Sequence, residues 1–204
     1  MASLLLPIIY LAFISLGLPD ALLGAAWPTM YPQLGAQVSW AGGVSMIISA
    51  CTILSALASD RLNERLGTGR VTAISVATTA AALLGFSFCH AFWQLCLWAI
   101  PYGLGAGSVD AALNNYVALH YKSRHMSWLH CMWGVGASLG PVIMGQALAG
   151  SGWQGGYRII GILQVVLTVV LLFSLPLWKL PQDAMGGEPF TPQHRSFPEL
   201  LKIT

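Results

Sequence analysis

Residues 17–28 read GLPDALLGAAWP and residues 107–113 read GSVDAAL. Each stretch sets a lone acid, Asp20 or Asp110, in a run otherwise suited to hydrocarbon. Laid over one another at an offset of 90 residues, Gly17, Asp20, Ala21 and Leu23 meet Gly107, Asp110, Ala111 and Leu113. Ser39-Trp40 meets Ser127-Trp128, and Arg70 meets Arg158, at an offset of 88. The near-constant period divides the chain into two copies of three spans. Three being odd, the second copy enters the membrane from the opposite side, which makes an inverted-topology repeat.

Composition sets the solvent. The 204 residues are 56% hydrophobic and 8% charged, with a mean hydropathy of +0.69, against roughly 25% charged in soluble domains. A spanning helix needs about 20 mostly apolar residues. Candidates run over about 4–31, 38–59, 71–88, 92–119, 126–149 and 159–177, which predicts an all-α membrane protein with a six-helix bundle over residues 1–178. The first segment has no basic leader and runs past Asp20 into Trp27-Pro28, so it reads as a retained helix rather than a cleaved signal peptide. Residues 179–204, broken by Pro181, Gly186-Gly187, Pro189, Pro192 and Pro198, read as a linker or tail.

The net charge of +2 matters less than its placement. Arg61, Arg65 and Arg70 follow the second segment, Lys122 and Arg124 the fourth, and Lys179, Arg195 and Lys202 the sixth; only Arg158 lies elsewhere. The positive-inside rule makes those regions cytoplasmic, with both termini inside a plasma or inner membrane. Trp40, Trp93 and Trp153 then fall at the outer interface, and Trp128 and Trp178 at the inner. Cys51, Cys89, Cys96 and Cys131 have no metal-type spacing and read as small packing residues.

A three-plus-three inverted repeat is how each half of a major facilitator superfamily transporter is built. The stretch SDRLNERLGTGRV, residues 59–71, resembles that superfamily's signature between helices two and three, with Asp60-Arg61 and Gly69-Arg70 present, the leading Gly replaced and the spacing longer. The Gly, Asp, Gly and Trp-Pro series on the first segment, with DAALNNYVA (residues 110–118) on the fourth, resembles the fucose and glucose permease branch of sugar:proton symporters. The resemblance covers nearly the whole chain as an amino-terminal half. It implies a small polar solute, a sugar, as substrate, and protons as the coupling ion. Within it Asp20 is matched to the proton-coupling acid and Asp110 to the substrate-handling one.

On the residues themselves, Asp20, Gly24, Trp27 and Tyr31 recur at steps of four, three and four, one stripe of a helix. Asp110 and Asn114 lie one turn apart, with Asn115 beside them. An acid near mid-bilayer costs about 2.5–3.5 kcal/mol even on insertion scales, so these faces must point into protein or water. One reading is a polar pair that fixes helix packing. The other is a cavity in which Asp110, Asn114 and Asn115 bond hydroxyls, Trp27 and Tyr31 supply aromatic faces, and Asp20 exchanges a proton. His130 and Trp133, one turn apart, and Gln164 are further candidates for that cavity. Gly136, Gly140-Pro141 and Gly145 resemble the Gly-Pro motif of facilitator antiporters, which keeps an efflux antiporter as an alternative, although small residues there also serve close helix approach.

Other classes fit less well. The local sequence GLGAGSVD lacks the Gly-x-Gly-Asp pattern of intramembrane aspartyl proteases, and the chain has no phosphate-binding Gly-rich loop and no metal-ligand cluster. No enzyme, cofactor, metal or nucleic-acid partner is expected. A non-transporting membrane scaffold is the remaining rival. A single half leaves its polar cavity face uncovered, so a second six-helix half is the expected partner, either another copy or a separate carboxy-terminal half.

Overall fold

The computed structural model describes residues 4–179; residues 180–204, the greater part of the expected tail, lie outside the described residues. The chain is all-α, with no strand among the described residues. The helices are α1 (Leu5–Asp20), α2 (Leu22–Gln33), α3 (Trp40–Leu66), α4 (Thr68–Phe86), α5 (Phe92–His120), α6 (Ser123–Gly150) and α7 (Gly152–Ser174), followed by a 3-10 turn over Leu175–Lys179. α1 and α2 together make one span. Five spans are long and apolar enough to cross a membrane; the sixth, α5, carries Asp110, Asn114 and Asn115.

The first span is interrupted where the sequence reads as one helix. Pro19 has no N–H, so the carbonyl of Ser15 loses its partner one turn down. Gln164 of α7 replaces it: Nε2 donates to the Ser15 carbonyl at 2.6 Å. The chain turns at Ala21 and restarts as α2.

The Asp60–Arg70 region is not the loop the hydropathy profile suggests. α3 continues through RLNERL, a run of good helix formers, and the whole connection to α4 is Gly67, which adopts φ +80. Asp60 and Arg61 sit exposed near the end of α3, Gly69 and Arg70 in the first turn of α4. Hydropathy marks where apolar residues stop, whereas the helix runs on past that point. The last span likewise begins at Gly152 rather than near 159.

Aromatic contacts group the helix ends. At one end Trp27 Nε1 donates to the Val38 carbonyl at 2.8 Å, Trp153 Nε1 to Gln33 Oε1 at 2.7 Å, and Trp40 lies 4.7 Å from Phe92. Arg158, the one basic residue away from the others, lies 5.4 Å from the Phe88 ring centroid at this end. At the other end Tyr10 bonds His125 Nδ1 at 2.9 Å and Trp178 packs on Tyr116. Trp40, Trp93 and Trp128 are exposed as interface residues should be, but Trp153, expected in that belt, is buried. Its indole caps the bundle through Gln33 instead.

Two seams hold the bundle, and they are related by the repeat. On α3 and α5, a side chain at Gly103 would meet the backbone of Ile48, and one at Gly107 that of Thr52. On α1 and α6, a side chain at Gly136 would meet the Ile14 carbonyl, and one at Gly140 that of Leu18. Offsets of 90 for the α1/α5 pair and 88 for the α3/α6 pair carry one set of contacts onto the other to within a residue. The bare backbones are in contact, the close approach that small residues allow in lipid. In the second seam the glycines lie on both helices, Gly136 and Gly140 on α6 and Gly17, the equivalent of Gly107, on α1, where a side chain would meet the Trp133 carbonyl. Hydroxyls line the first seam: Ser55 bonds Ser108 and the Leu104 carbonyl, and Thr52 donates to the Gly103 carbonyl at 3.3 Å. Gly145, grouped with Gly136 and Gly140 in the sequence, has open space beyond its Cα.

Candidate functional site

Asp20 closes α1, at the break that Pro19 creates. Its carboxylate accepts two hydrogen bonds from different helices: Tyr102 Oη of α5 donates to Oδ1 at 3.2 Å, and Trp133 Nε1 of α6 donates to Oδ2 at 2.8 Å. Three elements thus converge on one acid.

Two cavities meet there. One, of about 300 Å³, lies toward the Gln33 end and is lined by Asp20, Gly24, Ser45, Ser49, Phe86 and Tyr157, among others. The second, of about 360 Å³, is lined by Phe13, Leu16, Asp20, Ile48, Thr52, Tyr102, Ala106, Asp110, His130 and Trp133. Asp20, Ile48 and Tyr102 belong to both. The second cavity is built from helical stripes: Phe13, Leu16 and Asp20 on α1, Tyr102, Ala106 and Asp110 on α5, His130 and Trp133 on α6.

Of the residues expected on sequence, the structure brings Asp20, Asp110, His130 and Trp133 to one cavity. Asn114 supports it from beside, its Nδ2 donating to both Oδ1 and the backbone carbonyl of Asp110 at 3.0 Å, while its own buried Oδ1 has no partner. Asn115 is exposed. Trp27 and Tyr31 are elsewhere: Trp27 is buried in the core with its N–H on Val38, and Tyr31 packs against the same cluster. Of the expected stripe, Gly24 still lines the first cavity with Asp20, but further along α2 Trp27 turns into the core. Gln164 is buried in the helix packing rather than at the cavity wall, where it serves Ser15. Tyr102 was missed. Its signal was the i, i+4, i+8 stripe running back from Asp110 through Ala106, hidden by the surrounding glycines.

The geometry defines a class: a helical membrane protein, with six spans among the described residues, whose polar side chains gather inside the bundle around adjoining cavities, the arrangement of one half of a secondary transporter. The chain belongs to the Major Facilitator Superfamily, whose family model matches residues 9–203. It is an integral membrane protein of a transporter family. No curated protein matches its sequence significantly.

Proposed function

We propose that this chain is the amino-terminal six-helix half of a proton-coupled transporter for a sugar or similar small polar solute, of the fucose and glucose permease type. The observation that carries the reading is Asp20: an intramembrane carboxylate at a helix break, bonded by Tyr102 and Trp133 and facing a cavity that also holds Asp110 and His130. An acid kept only for packing has no need of a cavity. Asp20 takes and releases the coupling proton. Asp110, oriented by Asn114, accepts from substrate hydroxyls, His130 adds a polar contact, and the Trp133 ring offers an apolar face. The distribution of basic residues supports both termini on the cytoplasmic side. A second six-helix unit completes the pathway.

Transport by the assembled protein in proteoliposomes tests this. Asp20→Asn keeps the size and hydrogen-bonding capacity of a protonated acid, so it should abolish accumulation driven by a pH gradient while leaving counterflow exchange of solute largely intact. Asp110→Asn should instead weaken apparent affinity first, by about 1–3 kcal/mol, the size of one lost or unpaired polar contact. A folded Asp20→Asn protein that still concentrates solute on a proton gradient overturns the reading.

A further inference from the structure

We infer that the cavity on the Gln33 side of Asp20 is a second solute site, one that takes a neutral ring bearing hydroxyls, with the Tyr157 hydroxyl of α7 as a contact. The inference rests on the reading of the chain as a carrier of small polar solutes, in which Asp110 and His130 belong to the other cavity. Tyr157 is 3% exposed, and its hydroxyl makes no hydrogen bond to a described residue. Among the described residues, the side-chain atoms sealed in the interior without a partner belong to Asn63, Asn114, Tyr121 and Gln164. The Tyr157 hydroxyl is not one of them, so its small open surface faces the cavity that the residue lines. The ring cannot swing away to find a partner. It is packed between Phe86 at 5.2 Å and Trp153 at 6.2 Å, and the indole of Trp153 is itself tied to Gln33. An unmet hydroxyl in such a place costs about 1–3 kcal/mol, and phenylalanine would fill the same space without it. The hydroxyl is therefore kept for what enters the cavity.

The rest of the wall has the make-up of a small-molecule site, an apolar lining with a few polar groups turned to one space. Leu23, Val44, Leu83 and Phe86 give the apolar part, suited to the C–H face of a ring. Ser45 and Ser49, exposed and one turn apart on α3, add two hydroxyls, and Asp20 adds an acceptor. Hydroxyls of Ser and Tyr both donate and accept, which matches a solute that carries hydroxyls of its own. Among the described residues no Lys, Arg or His lines the cavity, so nothing there offsets the charge of an acidic solute. Gly24 also lines it, with open space beyond its Cα. Glycine inside a helix costs about 0.5–1 kcal/mol against alanine, and no neighbouring backbone requires it at this position; its bare Cα keeps the cavity open. At about 300 Å³ the space lies at the small end of ligand sites, roughly 300–1,000 Å³, which suits one ring rather than a chain of them.

Thermal unfolding of the assembled protein, in a detergent without a sugar headgroup, reads the site. D-glucose, L-fucose and D-galactose are the probes, and the rise of the midpoint with sugar concentration gives the dissociation constant. Gly24→Leu should fold normally, because nothing lies within 4 Å of the missing Cβ, and should abolish the sugar-dependent rise by filling the cavity. Tyr157→Phe should leave the sugar-free midpoint unchanged or higher and weaken binding about two- to tenfold, the net worth of one neutral hydrogen bond. A lower sugar-free midpoint for Tyr157→Phe would mean that the hydroxyl is already paired within the protein. Sugar binding unchanged in both variants would mean that water alone meets it. Either result overturns the site, and so does a wild-type midpoint that none of the three sugars moves. The site and the transport reading fail separately. Binding lost in these variants, beside proton-driven accumulation that survives Asp20→Asn, sinks the coupling mechanism and leaves the site standing. Normal affinity in them, beside accumulation that Asp20→Asn abolishes, sinks the site alone.

Discussion

At the scale of single residues, the break in the first span depends on a substitution of partners. Pro19 withdraws a backbone donor from the Ser15 carbonyl, and the buried Gln164 amide, from a helix 149 positions away in sequence, supplies one at 2.6 Å. Leaving a buried carbonyl unpaired costs about 1–3 kcal/mol. Gln164→Leu should therefore destabilise the folded protein by that amount, measured as a shift of unfolding midpoint in detergent. The same change made in Pro19→Ala, where residue 19 regains its N–H, should cost far less. Equal losses in both backgrounds would mean that Gln164 acts by packing alone. The pair also shows where sequence reading stops. Gln164 was legible as an unusual polar residue in an apolar segment, but its role depends on which carbonyl faces it, and no spacing along one helix reveals that. Asp20 and Asp110 were legible because an acid in hydrocarbon is expensive wherever it lies. Trp27 was misplaced because its partner, the Val38 carbonyl beyond the end of α2, lies outside the helix whose spacing was read.

At the scale of helices, glycines divide into those that touch another backbone and those that do not. Gly136 and Gly140 face the carbonyls of Ile14 and Leu18, whereas Gly145 and Gly24 face open space. Gly136→Ala should force α1 and α6 apart and lower stability by at least about 1–3 kcal/mol, the usual penalty of overpacking. Gly145→Ala should be neutral or stabilising by about 0.5–1 kcal/mol, since it removes only helix-weakening backbone freedom. Thermal unfolding of the two variants side by side checks this, and an inverted order would remove the seam as the basis of the α1/α6 crossing. The inverted repeat was legible as an offset of 88–90 residues; that the offset also superposes the two glycine seams was not. The match in sequence is partial: Gly17 on α1, against the α6 backbone, corresponds to Gly107 on α5, whereas Gly103, Gly136 and Gly140 correspond to Phe13, Ile48 and Thr52. A residue-by-residue comparison therefore finds only one of the seam glycines although the contacts correspond.

At the scale of the whole molecule, the unequal burial of the helices points outward. α4 and the first span are mostly buried, whereas α3 and α6 are the least buried of the five apolar spans. These two are related by the repeat, and they flank the cavity that holds Asp20, Asp110, His130 and Trp133. Both present small or polar residues outward, Ser45, Ser49 and Ala50 on α3 and Ser138, Gly145 and Gln146 on α6, among larger apolar ones. Ser138 Oγ donates to the Gly134 carbonyl at 2.8 Å, but lipid leaves the Ser45 and Ser49 hydroxyls and the Gln146 amide without strong partners, and a second six-helix unit would cover both helices and close the cavity at once. Cysteine pairs tested across molecules should then cross-link through α3 at Ser49 and through α6 at Ser138 if the second unit is another copy. If it is a separate carboxy-terminal half, the same positions should cross-link to that chain and not to each other. In either case exposed positions on α7, such as Val166, should remain unlinked, because the lipid-facing side takes no part. Linking through Val166 with none through Ser49 or Ser138 would place the partner on the opposite face, and the cavity would then have to be closed by lipid or by movement within the single chain.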